Sequence, residues 1–165
     1  MAIDPNTRIG HVHLTVADLE RALRFYRDIL GFEITTRYGR DAVFLSAGSY
    51  HHHIGLNTWA GPNAPPPPSG STGLYHFAIL FPDRAALAAV VRRVIDSGIA
   101  LEGAADHGVS EAVYLRDPDG NGVELYRDRP EKEWPRGADG ELVMHTRPLD
   151  LEALLREARS LQAPE

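Results

Sequence analysis

The sequence predicts an α+β fold: two paired β-α-β-β-β modules forming one curved, half-open mixed sheet around a central cup, then a C-terminal helical extension. Three observations carry the prediction. Residues 9–31 (IGHVHLTVADLERALRFYRDILG) and 74–98 (LYHFAILFPDRAALAAVVRRVIDSG) share one pattern of alternating strand, aspartate, helix and closing glycine. His11 and Asp18 recur as His76 and Asp83, both offset by 65 positions. A proline-rich stretch with Pro65 to Pro68 separates the copies and can sustain neither a ladder nor a helix.

Each element follows from local chemistry. In the first strand Val12, Leu14 and Val16 form one apolar row, which leaves His11 and His13 on the opposite face. Asp18 and Asp83 suit the N-cap, where a carboxylate accepts the unpaired amides of a first helical turn. Gly31 and Gly98 suit the left-handed position that ends a helix. Further strands are expected near 32–38, 42–47 and 51–59 in the first copy, and near 99–103, 111–116 and 122–127 in the second. Residues 1–128 are therefore expected to make one domain, with modules at about 9–60 and 73–128 and a connector at 61–72. Residues 129–165 form the extension, irregular at first and then an amphipathic helix from Leu149 to Leu161.

Composition removes several classes of function. The 165 residues carry 17 basic and 23 acidic side chains, a formal charge of −6, and no basic patch stands out for nucleic acid. No apolar run approaches the roughly 20 residues that span a bilayer. There is no cysteine, so thiolate chemistry and disulfides are excluded, which points to the cytoplasm. Eight histidines leave imidazole, carboxylate and phenol as the available metal donors.

Alternation places the candidate site. In the fifth strand Tyr75, Phe77, Ile79 and Phe81 share one face, leaving His76 and Ala78 on the other. In the last strand Val123 and Leu125 pack while Gly122, Glu124 and Tyr126 point inward. An inward glutamate is costly unless a cation compensates it. His11, His76 and Glu124 then make a facial triad of two imidazoles and a carboxylate, which holds a divalent metal and leaves coordination positions open. His13 shares the face of His11 and is the alternative ligand; its repeat equivalent is Ala78, which favours His11.

At these residues the sequence resembles the vicinal oxygen chelate superfamily of glyoxalases, bleomycin-resistance proteins and extradiol dioxygenases, over about residues 9–128. The turn YLRDPDGNGVELY, with Asp117, Pro118, Gly120 and Asn121, is most similar to small catechol 2,3-dioxygenase-like members. That resemblance implies metal ligation by His11, His76 and Glu124. It implies acid–base chemistry at His53, a substrate hydrogen bond from His107, and a tyrosine beside the substrate oxygen at Tyr114. His53 is expected on the face of Gly55 and Asn57, with His51 beside it and His52 pointing the other way. Glyoxalase I carries a fourth ligand, a glutamate, where this chain has Gly55. The resemblance does not extend to the additional metal-free N-terminal domain of well-studied extradiol enzymes, and the loop from His107 to Tyr114 is slightly shorter than theirs.

The implied function is a metal-dependent extradiol ring-cleaving dioxygenase acting on a catechol-type aromatic diol with O2. The implied cofactor is Fe(II), with Mn(II) the other ion that the ligand set accepts. Ligand histidines must be neutral, so metal affinity is expected to fall as pH drops through roughly 6. A glyoxalase-like lyase or thiol transferase of the same fold, or a sequestration protein without metal, are the alternatives. Neither nucleic acid nor membrane is expected as a partner, and the dimers common among relatives leave homo-oligomerisation open.

Overall fold

The structure is a computed structural model that describes residues 2–160. The chain divides into two compact units, Met1–Pro67 and Pro68–Glu165, with the division inside the proline run. Each unit repeats the same strand order.

In the first unit β1 (Val12–Thr15) leads to α1 (Leu19–Leu23), which continues as a π-helical turn over Arg24–Ile29. The Asp18 side chain accepts the Arg21 N–H at 2.8 Å, and Gly31 closes the helix at φ 93°. Then come β2 (Glu33–Tyr38), β3 (Ala42–Ser46) and β4 (Ile54–Asn57), in a sheet ordered β1-β4-β3-β2. Strand β1 runs parallel to β4, and the other pairings are antiparallel. The register settles the two faces. Leu14 pairs with Leu56, and Leu56 with Val43, in the row buried against Leu23, Phe25 and Tyr26. His13 pairs with Gly55, and Gly55 with Phe44, on the opposite face.

The second unit holds β5 (Phe77–Leu80), α2 (Arg84–Asp96), β6 (Leu101–Asp106), β7 (Ser110–Arg116) and β8 (Gly122–Asp128). Its sheet is ordered β5-β8-β7-β6-β9, with β5 parallel to β8 and β9 (Arg147–Pro148) added along β6. Asp83 caps α2 through the Ala86 N–H at 2.8 Å, and Gly98 closes it at φ 77°. Leu87, Val91 and Val94 of α2 are buried together with Val113, Leu115, Val123 and Leu125 of the sheet. A third helix, α3 (Leu151–Ser160), packs on α2, and Asp150 caps it through Ala153 N–H. It starts two residues later than the expected Leu149, and Leu161 lies outside the described residues.

Strand β4 is shorter than expected. Its ladder begins at Ile54, although His53 already bonds Leu45 O and Val12 N through its backbone. The run Tyr50–His52 precedes the strand, so strict alternation does not govern it. Among the described residues no helix is long and apolar enough to cross a membrane.

Candidate functional site

Strand pairing on the second sheet brings the central groups together. Tyr114 on β7 stands opposite Glu124 on β8, and β5 runs beside β8 with Ala78 paired to Glu124. His76, just before β5, therefore meets the same carboxylate: its Nε2 lies 3.0 Å from Glu124 Oε2. The Tyr114 hydroxyl donates to Glu124 Oε1 at 3.1 Å and lies 2.8 Å from His107 Nε2. The result is a continuous chain, His76–Glu124–Tyr114–His107, along one face of one sheet.

That chain opens into a cleft of about 350 Å³. Tyr75, Gly103, Ala105 and Thr146 line it with His76, His107 and Tyr114, and an Arg116–Glu102 ion pair stands at its wall. The close approach of β5 to β8 depends on a glycine. A Cβ on Gly122 would lie 2.2 Å from Tyr75 O and 2.9 Å from His76 Cβ. Only a bare α-carbon at position 122 lets the segment carrying His76 sit against the strand carrying Glu124.

Electrostatics define what Tyr114 can do. Burial first, and then the negative Glu124 beside it, push the phenol up to about 12. It stays protonated across the physiological range and acts as a hydrogen-bond donor. Nearby, Asp106 sits below the usual carboxylate range. Burial pushes it up, but the Gly108 N–H and the Arg129 guanidinium outweigh that effect.

The remaining predicted residues belong to the first unit. His11 precedes β1, and its ring lies 4.4 Å from that of His52. His53 sits with Ser46: its Nδ1 accepts the Ala47 N–H at 3.3 Å and bonds the Ser46 hydroxyl at 2.9 Å. These contacts leave Nε2 as its other nitrogen, and the Tyr50 ring lies tilted against the imidazole at 4.8 Å. His13 lies across Gly55, where a Cβ would come within 2.9 Å of its ring. The bare face of Gly55 is thus matched to the imidazole that packs on it.

Two expectations are corrected. His52 does not turn away from the histidine face, because residues 50–52 are not strand: its ring packs on His11 and on Phe44 at 4.9 Å. Its Nδ1 is 2.7 Å from that of His51. Burial, reinforced by the surrounding imidazoles, holds His52 below the ordinary histidine range. Tyr75, assigned to the core face, is 80% exposed and stacks on His76 at 5.3 Å because β5 begins only at Phe77. Among the described residues no three His, Asp or Glu side chains gather at metal-holding distance. What the second unit presents is the pair His76 and Glu124, an imidazole and a carboxylate of the kind that suits a divalent first-row ion.

A β-α-β-β-β repeat whose second copy sets a histidine just before its first strand against a glutamate of its last defines the class. Residues 8–125 match the Glyoxalase/Bleomycin resistance protein/Dioxygenase superfamily, and the chain belongs to it. It is 46% identical over 158 residues to a Catechol-2,3-dioxygenase of Bacillus subtilis (strain 168), covering 95% of this chain and 54% of that protein. It is 33% identical over 129 residues to Biphenyl-2,3-diol 1,2-dioxygenase 3 of Rhodococcus globerulus, covering 78% of this chain and 66% of that one. The chain thus spans between half and two thirds of the length of these relatives. Among solved structures, a lactoylglutathione lyase from Agrobacterium tumefaciens superposes with a TM-score of 0.57 at 29% identity, over 75% of this chain and 96% of that one.

Proposed function

We propose that the chain carries the active centre of a metal-dependent extradiol dioxygenase, cleaving a catechol-type aromatic diol with O2. One observation supports this above the others: His76, Glu124, Tyr114 and His107 are joined through hydrogen-bonding distances on one sheet face, above a cleft. His76 and Glu124 hold the ion, and His11, the repeat equivalent of His76, is the third ligand. Fe(II) or Mn(II) fits this nitrogen and oxygen set. When bound, the ion supplies the Lewis acidity that eases deprotonation of the diol and the redox chemistry that dioxygen requires.

The chain's own residues do the rest. Tyr114 keeps its phenol proton at neutral pH, and with Glu124 taken up by the ion that proton would pass from Glu124 Oε1 to a substrate oxygen, which it orients. His107 Nε2, at the end of the same chain, hydrogen-bonds the substrate hydroxyl and orients it. His53 serves as the acid–base group, taking a proton that leaves the diol and later returning it to the ring-opened product, and is steadied through Nδ1 by Ser46 and Ala47. The apolar wall at Gly103 and Ala105 accommodates the aromatic ring and its substituents.

The test uses protein loaded with Fe(II) or Mn(II) without air, then given catechol or 2,3-dihydroxybiphenyl and oxygen. A yellow ring-fission product is expected. His76→Ala and Glu124→Ala lose metal and turnover together, while His53→Ala keeps the metal and loses about 10²–10⁴-fold in turnover. Metal-loaded protein that consumes no oxygen with either diol sinks the reading. The lyase reading suggested by the Agrobacterium structure lacks its fourth ligand, since Gly55 offers no donor, and metal-dependent isomerisation of a hemithioacetal would be needed to favour it.

A further inference from the structure

The chain beyond β8 returns to the site as a strap. Val143 N–H bonds Pro135 O at 2.9 Å, Arg136 and Leu142 form an isolated bridge, and Arg147 pairs with Asp106 on β6. Between these fixed points the strap crosses the β6–β7 loop that carries His107. His145 N–H donates to His107 O at 3.3 Å, and the His145 carbonyl lies 3.1 Å from His107 Nδ1. The Thr146 hydroxyl is 3.3 Å from the same nitrogen, and Thr146 also lines the cleft. On the loop's other side, Asp106 accepts the Gly108 N–H at 2.8 Å and is held by Arg129 at 2.8 Å.

We propose that this strap, residues 135–148, is a positioning element that fixes the tautomer of His107. A carbonyl oxygen only accepts, so the nitrogen facing it must carry the proton. Neutral His107 is therefore protonated at Nδ1, and Nε2, 2.8 Å from the Tyr114 hydroxyl, is left as the acceptor. Were the proton on Nε2, the Nδ1 lone pair would face the His145 carbonyl oxygen at 3.1 Å, closer than the Thr146 hydroxyl at 3.3 Å that could donate to it, and Nε2 could accept nothing from the cleft. While His107 is neutral, its Nε2 and Glu124 Oε1 share the single phenol proton of Tyr114; when a proton reaches Nε2, the ring becomes a cation whose two N–H groups point at His145 O and at the Tyr114 oxygen, and the Tyr114 hydroxyl then donates to Glu124 alone. The strap thus makes His107 a hydrogen-bond acceptor toward the cleft, and that role rests on the dioxygenase reading, which sets a substrate hydroxyl there.

The strap's seat depends on Gly108. At φ 78°, with Pro135 and His145 packed over it, a Cβ there would lie 2.7 Å from Pro135 Cγ and 2.6 Å from His145 Cε1. Gly108→Ala therefore pushes the strap off the loop. Gly98 supplies the matched control: its φ is 77°, but a Cβ there meets nothing within 4 Å. Gly98→Ala carries the same backbone strain without touching the strap.

The experiment is a long-range ¹H–¹⁵N correlation on the full chain with ¹⁵N-labelled histidine at about pH 8, above the ordinary histidine range. His107→Gln identifies the signal. The wild-type chain and Gly98→Ala should show His107 protonated at Nδ1, and Gly108→Ala should shift it toward the Nε2–H form. In the metal-loaded enzyme Gly108→Ala should lower kcat about 10- to 100-fold with little change in KM, the size typical of a lost outer partner. A wild-type His107 protonated at Nε2 overturns the proposal whether or not Gly108→Ala folds. So does a folded Gly108→Ala whose tautomer is unmoved. The tautomer is read without turnover, so a wild-type enzyme that cleaves no diol would end the dioxygenase reading and leave this result standing.

Discussion

Tyr114 carries the most informative single atom of the site. Its hydroxyl lies within hydrogen-bonding distance of both His107 and Glu124. Tyr114→Phe removes that oxygen, keeps the ring volume, and leaves Glu124 to His76. Turnover of the proposed reaction should fall about 10- to 100-fold, in line with losing a hydrogen bond to a charged group worth about 1.5–3 kcal/mol, while the metal is retained. Loss of metal along with turnover would show that the phenol organises the ligands instead. The pH behaviour follows from the raised phenol. A folded-state value of about 12, against an ordinary 10.0, means that the folded chain favours the neutral form. That contribution is fully present below pH 10 and is lost as pH rises through 12. Difference absorbance at 295 nm, compared between the wild-type chain and Tyr114→Phe, should show no Tyr114 ionisation below about pH 11. An ionisation near pH 10 would contradict the assigned burial.

At the level of strands, the spacing between β5 and β8 rests on Gly122. Alanine there would drive a methyl group into the Tyr75 carbonyl and His76 Cβ, and backbone cannot swing aside as a side-chain tip can. Gly122→Ala should separate His76 from Glu124, destabilise the second unit by about 1–3 kcal/mol as overpacking does, and weaken metal retention at least as much as it lowers stability. Elemental analysis after gel filtration, together with urea unfolding, checks both. Full metal content in the variant would mean that β5 tolerates displacement. The same strands show what could be read from the sequence. The repeat, its capping aspartates and closing glycines, and the inward facing of Glu124 and Tyr114 are all periodic or local signals, and the structure carries them. Tyr75 and His52 were misplaced because each lies just outside a ladder, where alternation ceases to hold. The strap over His107 had no signal: its hold on the loop runs through backbone carbonyls and a two-residue strand, which leave no pattern in side-chain chemistry. The joining of His11 to His76 and Glu124 rests on repeat equivalence, a sequence argument from start to finish.

Over the larger of the two units, cohesion converges on one carboxylate outside the proposed site. Glu111 on β7 is 4% exposed and meets three guanidiniums: Arg84 at the start of α2 at 2.8 Å, Arg127 on β8 at 3.0 Å, and Arg129 beyond it at 3.0 Å. Arg84 also pairs with Glu157 on α3, and Arg129 with Asp106 beneath the His107 loop. Sheet, both helices and the His107 loop are thereby tied through a single buried anion. Removing one partner from such a cluster leaves the others charged and desolvated, which typically costs about 3–5 kcal/mol, whereas an exposed pair is worth at most about 1 kcal/mol. Arg84 and Arg129 keep a second acidic partner in Glu111→Gln, so Arg127 bears most of the loss. The two tryptophans, Trp59 and Trp134, fall in different units, so urea unfolding followed by fluorescence in a Trp59→Phe background reports the second unit by itself. Glu111→Gln should lower its stability by about 3 kcal/mol or more. It should also loosen Arg129 and Asp106, so the His107 signal should broaden before the unit unfolds. A loss below about 1 kcal/mol would mean that the cluster behaves as a set of surface pairs, and that the packing of α2 and α3 on the sheet is carried by their apolar faces.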